Sequence, residues 1–405
     1  MCVGKSKGTV AALVVLVMGI LTTAEIANAG LNPAPGYPIS YQIDGVFTGP
    51  IDMVSDSQLA AGTTTYTANW DSLLEVRTVE LNAGPMSPVI YTQPTLPSGS
   101  TYAGWYTATN GNYVLTGQTG YPADAQGLMP GQLFMTRLSN GATTTLNVAG
   151  NFDAATAGEN FYVTAAAGTA TGLGNNGYSG IYRAEGMDGT LTGLNLILDT
   201  GAPSGVVTGN GSGNLAFSLG GTSAQLLGKH NDLYLLSAEQ VEAGIAAGQT
   251  TGVSADAADA LITGTTLNAA AAPFFNQHTP DGGYVFTSIS DLVFDKNGDL
   301  IIGMSGYLYD ANFNWVGTAG IGMLLDVNLT GHDYSATVAD TLYTNDSDGG
   351  GYLAYRAIDQ TLWISADGNL YGLLVPEPAT LTLLCWGGLG LIARRANRGV
   401  RKDLQ

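Results

Sequence analysis

The sequence predicts an all-β protein in which four-stranded sheets repeat around an axis, a β-propeller. Asn-Gly and Asp-Gly pairs, which are typical of tight hairpin turns, recur between apolar runs. The composition, with 57 Gly, 20 Tyr and only 11% charged residues, disfavours a helical protein. The hairpins are of two kinds, and the paired units recur at intervals of roughly 50 to 85 residues.

The first kind of hairpin leads into a strand that opens with Asn or Asp and an apolar pair. Both residues of its turn need a positive φ, which Asn, Asp and Gly adopt most readily. Glu159-Asn160 marks a degraded fifth copy. The four clear copies have their turns at Asn110-Gly111, Asn210-Gly211, Asn297-Gly298 and Asp367-Gly368.

The second kind of hairpin lies between copies of the first. Its three copies span residues 133–148, 180–198 and 322–342. Two hairpins make a four-stranded sheet, and one such sheet buries little apolar surface alone, so repeated sheets are expected to stack around an axis. The hairpin count predicts about five blades, within a range of five to seven.

The ends of the repeated region fit a closed ring. The last unit stops after one hairpin at Leu374, while strand-like segments at 39–47 and 73–81 precede the first hairpin. These N-terminal strands are expected to supply the missing outer strands of the last blade. The alternative architecture is a pair of tandem β-sandwiches, because hairpin spacing does not distinguish the two.

An Ala-rich insertion at 237–272 interrupts the repeats. Ser237-Ala-Glu-Gln240 has the pattern of a capping box and predicts a helix to about Ala247. A second helix is expected from Ser254 to Leu261. The insertion is interpreted as a surface elaboration, with a lid over a site as the alternative.

The segment Asp367-Gly-Asn-Leu-Tyr371 resembles the second strand of NHL-like propeller blades. This resemblance implies a propeller fold for the body, residues 30–374. It implies no activity, because propellers carry many functions.

The N-terminus has the pattern of a secretory signal peptide. Lys5 and Lys7 precede an apolar run at 10–21, which is too short to span a membrane stably. Ala27-Asn28-Ala29 is an A-x-A cleavage site, so residues 1–29 are expected to be removed.

The C-terminal segment 375–405 combines Pro376-Glu377-Pro378, an uncharged run at 379–393 and the pair Arg394-Arg395. As a helix the run spans roughly 22 Å, which is short of the ~30 Å bilayer core. This order resembles the PEP-CTERM sorting domain of Gram-negative bacteria. The resemblance implies transient anchoring in the inner membrane, cleavage by an exosortase near Pro-Glu-Pro, and delivery to the cell surface or medium.

The composition excludes several classes of function. Both cysteines, Cys2 and Cys385, lie in the predicted removable ends, so the body has neither a disulfide nor a thiol nucleophile. The net charge is −19 at pH 7, and such an acidic protein repels phosphate backbones. Nucleic-acid binding is therefore disfavoured. The body has few basic residues: Arg77, Arg137, Arg183, Lys229, Lys296 and Arg356.

One segment has the alternating oxygen ligands of a calcium loop. Asp295, Asn297 and Asp299 are spaced like calcium ligands, but Leu300 stands where an EF-hand needs Gly and Gly306 where it needs Glu. A polar hairpin turn is the alternative interpretation, and no other cofactor is expected. No hydrolase or zinc-protease motif is present, and no catalytic residue is identified.

The sequence therefore predicts an exported, surface-sorted propeller of the bacterial envelope or exopolysaccharide matrix. Its expected partners are the secretion translocon and an exosortase during sorting, then polysaccharide or surface proteins. The alternative is a secreted propeller enzyme, a glycosidase or lyase, acting on polysaccharide. A cluster of carboxylates in a central pocket would favour the enzyme, and a plain axis would favour the binding protein.

Overall fold

The computed structural model describes residues 30–376 except 67–71, 82–86, 93–99, 104–105, 122–130, 149, 166–179, 188, 201–203, 220–228, 249–252, 255–257 and 330–333. These residues form 27 strands and two helices, α1 (Ala238–Ala247) and α2 (Gly264–His278). The strands are β1 (Leu31–Pro33), β2 (Ile39–Phe47), β3 (Ile51–Ser55), β4 (Gln58–Tyr66), β5 (Ser72–Glu80), β6 (Tyr91–Thr92), β7 (Ser100–Ala103), β8 (Ala108–Thr109), β9 (Tyr113–Tyr121), β10 (Gly131–Arg137), β11 (Thr143–Asn147), β12 (Asn151–Ala157), β13 (Asn160–Ala165), β14 (Gly180–Met187), β15 (Thr190–Asp199), β16 (Ser204–Gly209), β17 (Leu215–Leu219), β18 (Leu233–Leu236), β19 (Val253–Ser254), β20 (Asp259–Ile262), β21 (Tyr284–Phe294), β22 (Leu300–Tyr309), β23 (Trp315–Asn328), β24 (Ser335–Asn345), β25 (Tyr352–Arg356), β26 (Thr361–Ala366) and β27 (Gly368–Leu374).

The strands form six sheets, which are the blades of a β-propeller. From the centre outward, blade 1 has the strand order β3-β4-β5-β6. In blade 2, the short strands β8 and β7 both pair with the inner edge of β9, and β10 and β11 follow on its outer side. Blade 3 is β12-β13-β14-β15 with β19 parallel to β15, and blade 4 is β16-β17-β18-β20. Blade 5 is β21-β22-β23-β24-β1, and blade 6 is β25-β26-β27-β2. The inner strands β3, β8, β12, β16, β21 and β25 contact one another in succession, and β25 contacts β3, so the blades form a ring.

The core of the protein lies between the blades. Strand residues alternate between the two faces of a sheet, so one strand contributes to two neighbouring interfaces. In β4, Leu59 and Ala61 pack toward blade 6, while Ala60 packs toward blade 2. Each of the six interfaces holds such a cluster of buried apolar side chains, so no blade has a core of its own.

The predicted all-β propeller is confirmed, and the alternative of tandem β-sandwiches is wrong. The best count of five blades is also wrong, although six lies within the predicted range. The sequence signal missed blade 1 because its first hairpin turns at Asp56-Ser57, which lacks the Gly that marks the other turns. Segment 73–81 falls in β5 of this blade and not at the edge of the last one.

Blade 6 combines strands from both ends of the described chain. The predicted hairpin at Asp367-Gly368 joins β26 to β27, and β25 lies inside them as an additional strand. The outer position beside β27 is occupied by β2, with Ile43 opposite Leu370.

The insertion contains one correctly predicted helix. Ser237 caps α1, and both hydrogen bonds of the capping box with Gln240 are present. The helix expected from Ser254 to Leu261 is wrong, because β19 and β20 occupy that segment and α2 begins only at Gly264. α1 packs on β15 and α2 on blade 5, and neither contributes to the central cavity.

Candidate functional site

The six inner strands surround a central cavity of about 1470 Å³. Its wall is assembled from short segments of every blade, together with the turns that follow β16 and β21. A central cavity of this size is the first place to look for a ligand site in a β-propeller. Its chemistry depends on which side chains the inner strands direct toward the axis.

Three aspartates on the inner strands of alternate blades line this cavity. Asp52 lies on β3 of blade 1, Asp153 on β12 of blade 3 and Asp291 on β21 of blade 5. We call these three residues the aspartate belt. Asp52 and Asp153 lie near the start of their strands, whereas Asp291 lies in the second half of β21.

Each belt carboxylate links its own blade to the next one around the ring. Oδ2 of Asp52 accepts the backbone N–H of Thr109 in blade 2 at 2.7 Å. Oδ2 of Asp153 accepts from Val207 in blade 4 at 2.6 Å. Oδ2 of Asp291 accepts from Leu353 in blade 6 at 2.7 Å. The three bonds are equivalent, so the ring has an approximate threefold repeat of blade pairs.

The second oxygen of these carboxylates is also engaged locally. Oδ1 of Asp52 accepts the N–H of Met53 at 2.8 Å, and Oδ1 of Asp291 accepts the N–H of Leu292 at 2.7 Å. A break in strand register precedes Asp153 and Asp291, and such irregularities re-aim a side chain. The belt carboxylates are therefore held by backbone donors on both sides.

Enclosure in the ring makes ionisation of the belt unfavourable. Burial raises the pKa of Asp52 and of Asp291 to about 7, against the opposing effect of their backbone N–H donors. Burial, and then the charge of Asp291, raises the pKa of Asp153 well above its usual range. Asp153 is only 7% exposed. A carboxyl that is protonated near neutral pH can donate a proton, so the belt has the electrostatic character of a functional site.

Two hydroxyl groups add polar character to the cavity wall. Thr107 and Ser290 both line the cavity, and Thr107 is buried. Among the described atoms, Oγ1 of Thr107 and Oγ of Ser290 have no hydrogen-bond partner. Buried hydroxyls usually bond to protein or water, so these two are available to a polar guest in the cavity.

The predicted calcium-like loop forms a hairpin turn at one end of the cavity. Oδ1 of Asp295 accepts the N–H of Asn297 at 2.7 Å and of Asp299 at 2.9 Å. Oδ1 of Asp299 accepts the N–H of Val327 at 3.0 Å. Asp295 and Asn297 line the cavity, but Asp299 turns to the neighbouring strand. Within the described part of the chain, no group of three His, Cys, Asp or Glu residues is arranged to hold a metal ion.

The sorting residues lie at or beyond the limits of the described chain. Pro376 is the last described residue, whereas Glu377, Pro378, Arg394, Arg395 and the signal-cleavage residues Ala27 and Ala29 lie outside it. The apolar run at 379–393 also lies outside. Neither α1 nor α2, the helices that the structure describes, is long and apolar enough to cross a membrane.

The aspartate belt is the feature that the sequence did not reveal. Its members are separated from their partners by 57, 54 and 62 residues, about one blade along the chain. The local signal is only an Asp followed by apolar residues in a strand, as in Asp291-Leu292-Val293. Many strands of this chain have polar residues in such positions, so spacing alone could not identify the three.

The chain matches no protein-family model and no curated protein. Among solved structures it is similar to a Thermus thermophilus protein assigned as an oxidoreductase (glucose dehydrogenase), with 13% identity, 84% of this chain and 100% of that chain covered, and a TM-score of 0.45. It is also similar to a PL25 polysaccharide lyase, an ulvan lyase (9% identity, 83% and 96% covered, TM-score 0.40). A third similar structure is a mannose phosphorylase from Leishmania mexicana (9% identity, 92% and 95% covered, TM-score 0.33). Likeness this distant carries no argument about activity or ligand.

Proposed function

We propose that this protein is a non-catalytic β-propeller that binds glycan or protein ligands at the surface of a Gram-negative bacterium or in its exopolysaccharide matrix. The observation that carries the non-catalytic part is the state of the aspartate belt. All three carboxylates hold a neighbouring blade through a backbone N–H, and this use is repeated around the ring. A structural role, holding neighbouring blades together, explains why the same hydrogen bond occurs three times around the ring, and it requires no catalytic activity.

Glycoside hydrolysis requires a different arrangement of carboxyl groups. One carboxyl must be free to protonate the leaving oxygen, and a second must attack the sugar or activate water. In Asp52 and Asp291 each oxygen already accepts a backbone N–H, which fixes the orientation of the group. Moving either carboxylate onto a substrate would break the link between two blades, so we assign the belt to the scaffold.

The acidic character of the protein limits the ligand. The net charge is −19, and Asp295 and Asp348 line the cavity in addition to the belt. Lys296 is the cationic side chain in that lining. A polyanionic ligand would be repelled, so we infer that the ligand is neutral or basic.

The proposed route to the surface begins with the signal peptide, residues 1–29, and the translocon. It then uses the tail that resembles a PEP-CTERM domain, which would anchor briefly in the inner membrane until an exosortase removes it. The end of the folded body supports this order. Val375 is buried and donates its N–H to Gln360 at 2.9 Å, and Pro376 follows immediately. Cleavage beyond Pro376 would therefore leave the propeller intact.

We also infer that the N-terminal strand closes the ring. The pairing of β2 with β27 joins residues near the start of the exported chain to the last strand before the tail. In a propeller, closure of this kind ties the first and last blades together. Residues 30–374 would then form a single closed body after both ends are removed.

Loss of the tail on delivery is a direct prediction of this proposal. Protein recovered from the surface or medium of the native bacterium should have an intact mass that excludes residues 1–29 and also Arg394 and Arg395. Protein in a strain that lacks the exosortase should retain the basic end in the membrane fraction. A released protein that carries the full tail would contradict the sorting route.

Binding without turnover is the second expected result. The purified protein should bind one or more polysaccharides on a glycan array, while the same polysaccharides incubated with it should release no reducing ends and no unsaturated uronates. Heat-unfolded protein serves as the control for binding. Failure to bind any polysaccharide or surface protein would contradict the proposed binding role.

A secreted enzyme that acts on polysaccharide is the second candidate. The observation in its favour is that three carboxyl groups with raised pKa values face one cavity, two of them near 7. This candidate predicts polysaccharide cleavage with a pH optimum near neutrality. It also predicts that Asp153→Asn abolishes cleavage while the circular-dichroism spectrum stays unchanged.

A further inference from the structure

Blade 5 carries an exposed group of five aromatic side chains, of which Tyr307 alone lines the central cavity. They are the aromatic platform: Tyr284, Phe286, Tyr307, Phe313 and Trp315, of which Phe313 is 69% exposed and Trp315 62% exposed. Exposed apolar groups scattered singly need no explanation, but a contiguous patch usually marks a binding surface. These five lie within three adjacent strands and one connecting turn.

The strand register places the platform on one face of the sheet. Phe286 lies opposite Tyr307, and Tyr284 lies opposite Tyr309, which in turn lies opposite Trp315. Directly opposed residues point to the same face. The other face is covered by α2, since a Cβ at Gly306 would meet the ring of Phe275. Further along β22 the aromatic face packs against Gly349 and Gly350 of blade 6, so among the described residues it is exposed at the platform end of the sheet.

The platform is continuous with the central cavity. Tyr307 lines the cavity as well as belonging to the platform, and Thr318, opposite Tyr307 on β23, lines it too. This is the end of β21 away from the turn at Asp295. A chain-like ligand lying on the platform would therefore extend over one opening of the ring.

Phe313, at the tip of the platform, has a positive φ, which is an unfavourable backbone conformation for a bulky residue. It lies in a turn, residues 310–314, in which Oδ1 of Asp310 accepts the N–H of Asn312 and of Asn314. The turns that start at Asn210 and Asp295 have the same two side-chain bonds.

At the fourth position of those two turns stand Gly213 (φ 87°) and Gly298 (φ 92°), whereas Phe313 has φ 62°. A bulky residue in the left-handed region is strained, and such strain is found most often where a side chain has a function. The Phe313 ring stacks on Tyr284 with centroids 4.6 Å apart and an interplanar angle of 6°. Packing in the core does not require this ring, because it is the most exposed member of the platform.

We propose that the aromatic platform binds a neutral polysaccharide by stacking on its sugar rings; this inference rests on the proposed function of the protein as a glycan-binding propeller. Flat rings with electron-rich faces attract the C–H face of a pyranose. The platform contains no cationic side chain to pair with a charged sugar. A second copy of the chain would bring another strongly acidic surface, which charge repulsion disfavours.

The test uses affinity electrophoresis of the purified full chain in gels containing mixed-linkage β-glucan as the neutral probe or alginate as the anionic one. Phe313→Gly installs the residue that the two equivalent turns already use, so the fold is preserved by design. Trp315→Ala removes a second ring. Ile358→Ala is the matched control, because Ile358 is 71% exposed on the turn before β26, in a different blade.

We expect the wild type and the Ile358→Ala variant to be retarded by β-glucan and not by alginate. Phe313→Gly and Trp315→Ala should each bind β-glucan about tenfold more weakly, the effect of losing one stacking contact. Their thermal midpoints should stay close to that of the wild type.

Glucan binding that is unchanged in both variants would overturn the platform assignment and leave the proposed function standing. Equal retardation by alginate would overturn the neutral ligand class. Loss of wild-type self-association in the two variants would identify a second copy of the chain as the occupant instead. No wild-type binding to either polysaccharide or to a broader glycan array would count against the proposed function itself.

Discussion

The free energy of unfolding is expected to fall by roughly 5 kcal/mol as the pH rises from about 5 to about 8, because Asp52 and Asp291 of the aspartate belt ionise inside the ring. Burial raises the pKa of Asp52 and Asp291 to about 7 in the folded protein, whereas an unfolded Asp titrates near 3.8. Between these two values the folded state retains protons that the unfolded state has released. Stability therefore decreases with rising pH across this window.

Urea unfolding followed by circular dichroism at several pH values would measure this dependence. Carboxyl groups whose pKa is lowered, such as that of Asp359 beside Arg356, titrate below pH 5. They therefore do not change the slope of the unfolding free energy against pH between pH 5 and pH 8. The control is Asp52→Asn, in which the amide does not titrate, so the slope between pH 5 and pH 8 should become shallower. A stability that is flat or rising across this range in the wild type would show that the belt is ionised without cost.

Gly320→Ala is expected to destabilise the protein by roughly 2 to 4 kcal/mol, because the added methyl group has no space. Gly320 lies on β23 of blade 5, against the Gly349-Gly350 segment that leads to the inner strand of blade 6. A Cβ at this position would overlap the backbone of Gly349 and Gly350, which cannot rotate away as a side chain could. The hydroxyl of Ser305, bonded to the N–H of Gly350 at 2.9 Å, holds that segment in place.

Gly317→Ala is the matched control on the same strand. A Cβ at Gly317 meets no atom within 4 Å, so this substitution should change stability by no more than about 0.5 kcal/mol. Thermal and urea unfolding of both variants beside the wild type would test the contrast. Equal effects of the two substitutions would mean that the contact between β23 and residues 349–350 is loose.

The local parts of the fold were predictable from the sequence. Asn-Gly and Asp-Gly pairs identified hairpins in five of the six blades, because these residue types are favoured in turns. Both residues have the expected positive φ at Asp367-Gly368, whereas the Asn residues at 110, 140, 210 and 297 do not. Blade 1 was not identified because its first hairpin turns at Asp56-Ser57, a turn without Gly. Its omission lowered the predicted number of blades from six to five. The second helix of the insertion was misplaced because Ala-rich composition does not fix where a helix begins; Thr263 caps it instead.

The candidate site was less predictable, for a physical reason. The belt depends on hydrogen bonds between neighbouring blades, such as Asp153 to Val207, and strand periodicity contains no information about such pairs. Trp315 of the aromatic platform and Trp363 both stand in strand-like segments, so the sequence does not distinguish them. In the structure Trp315 is exposed and Trp363 is fully buried.

The threefold repeat of the belt also bears on how the ring opens. Carboxylates join blades 1 and 2, 3 and 4, and 5 and 6, whereas different groups bridge the interfaces between these pairs, such as Asn151 with Tyr106 at 2.6 Å. Cooperative units in proteins often coincide with such substructures and exchange their amide hydrogens together. The belt would then strengthen three of the six blade interfaces, in addition to the apolar clusters that hold all six.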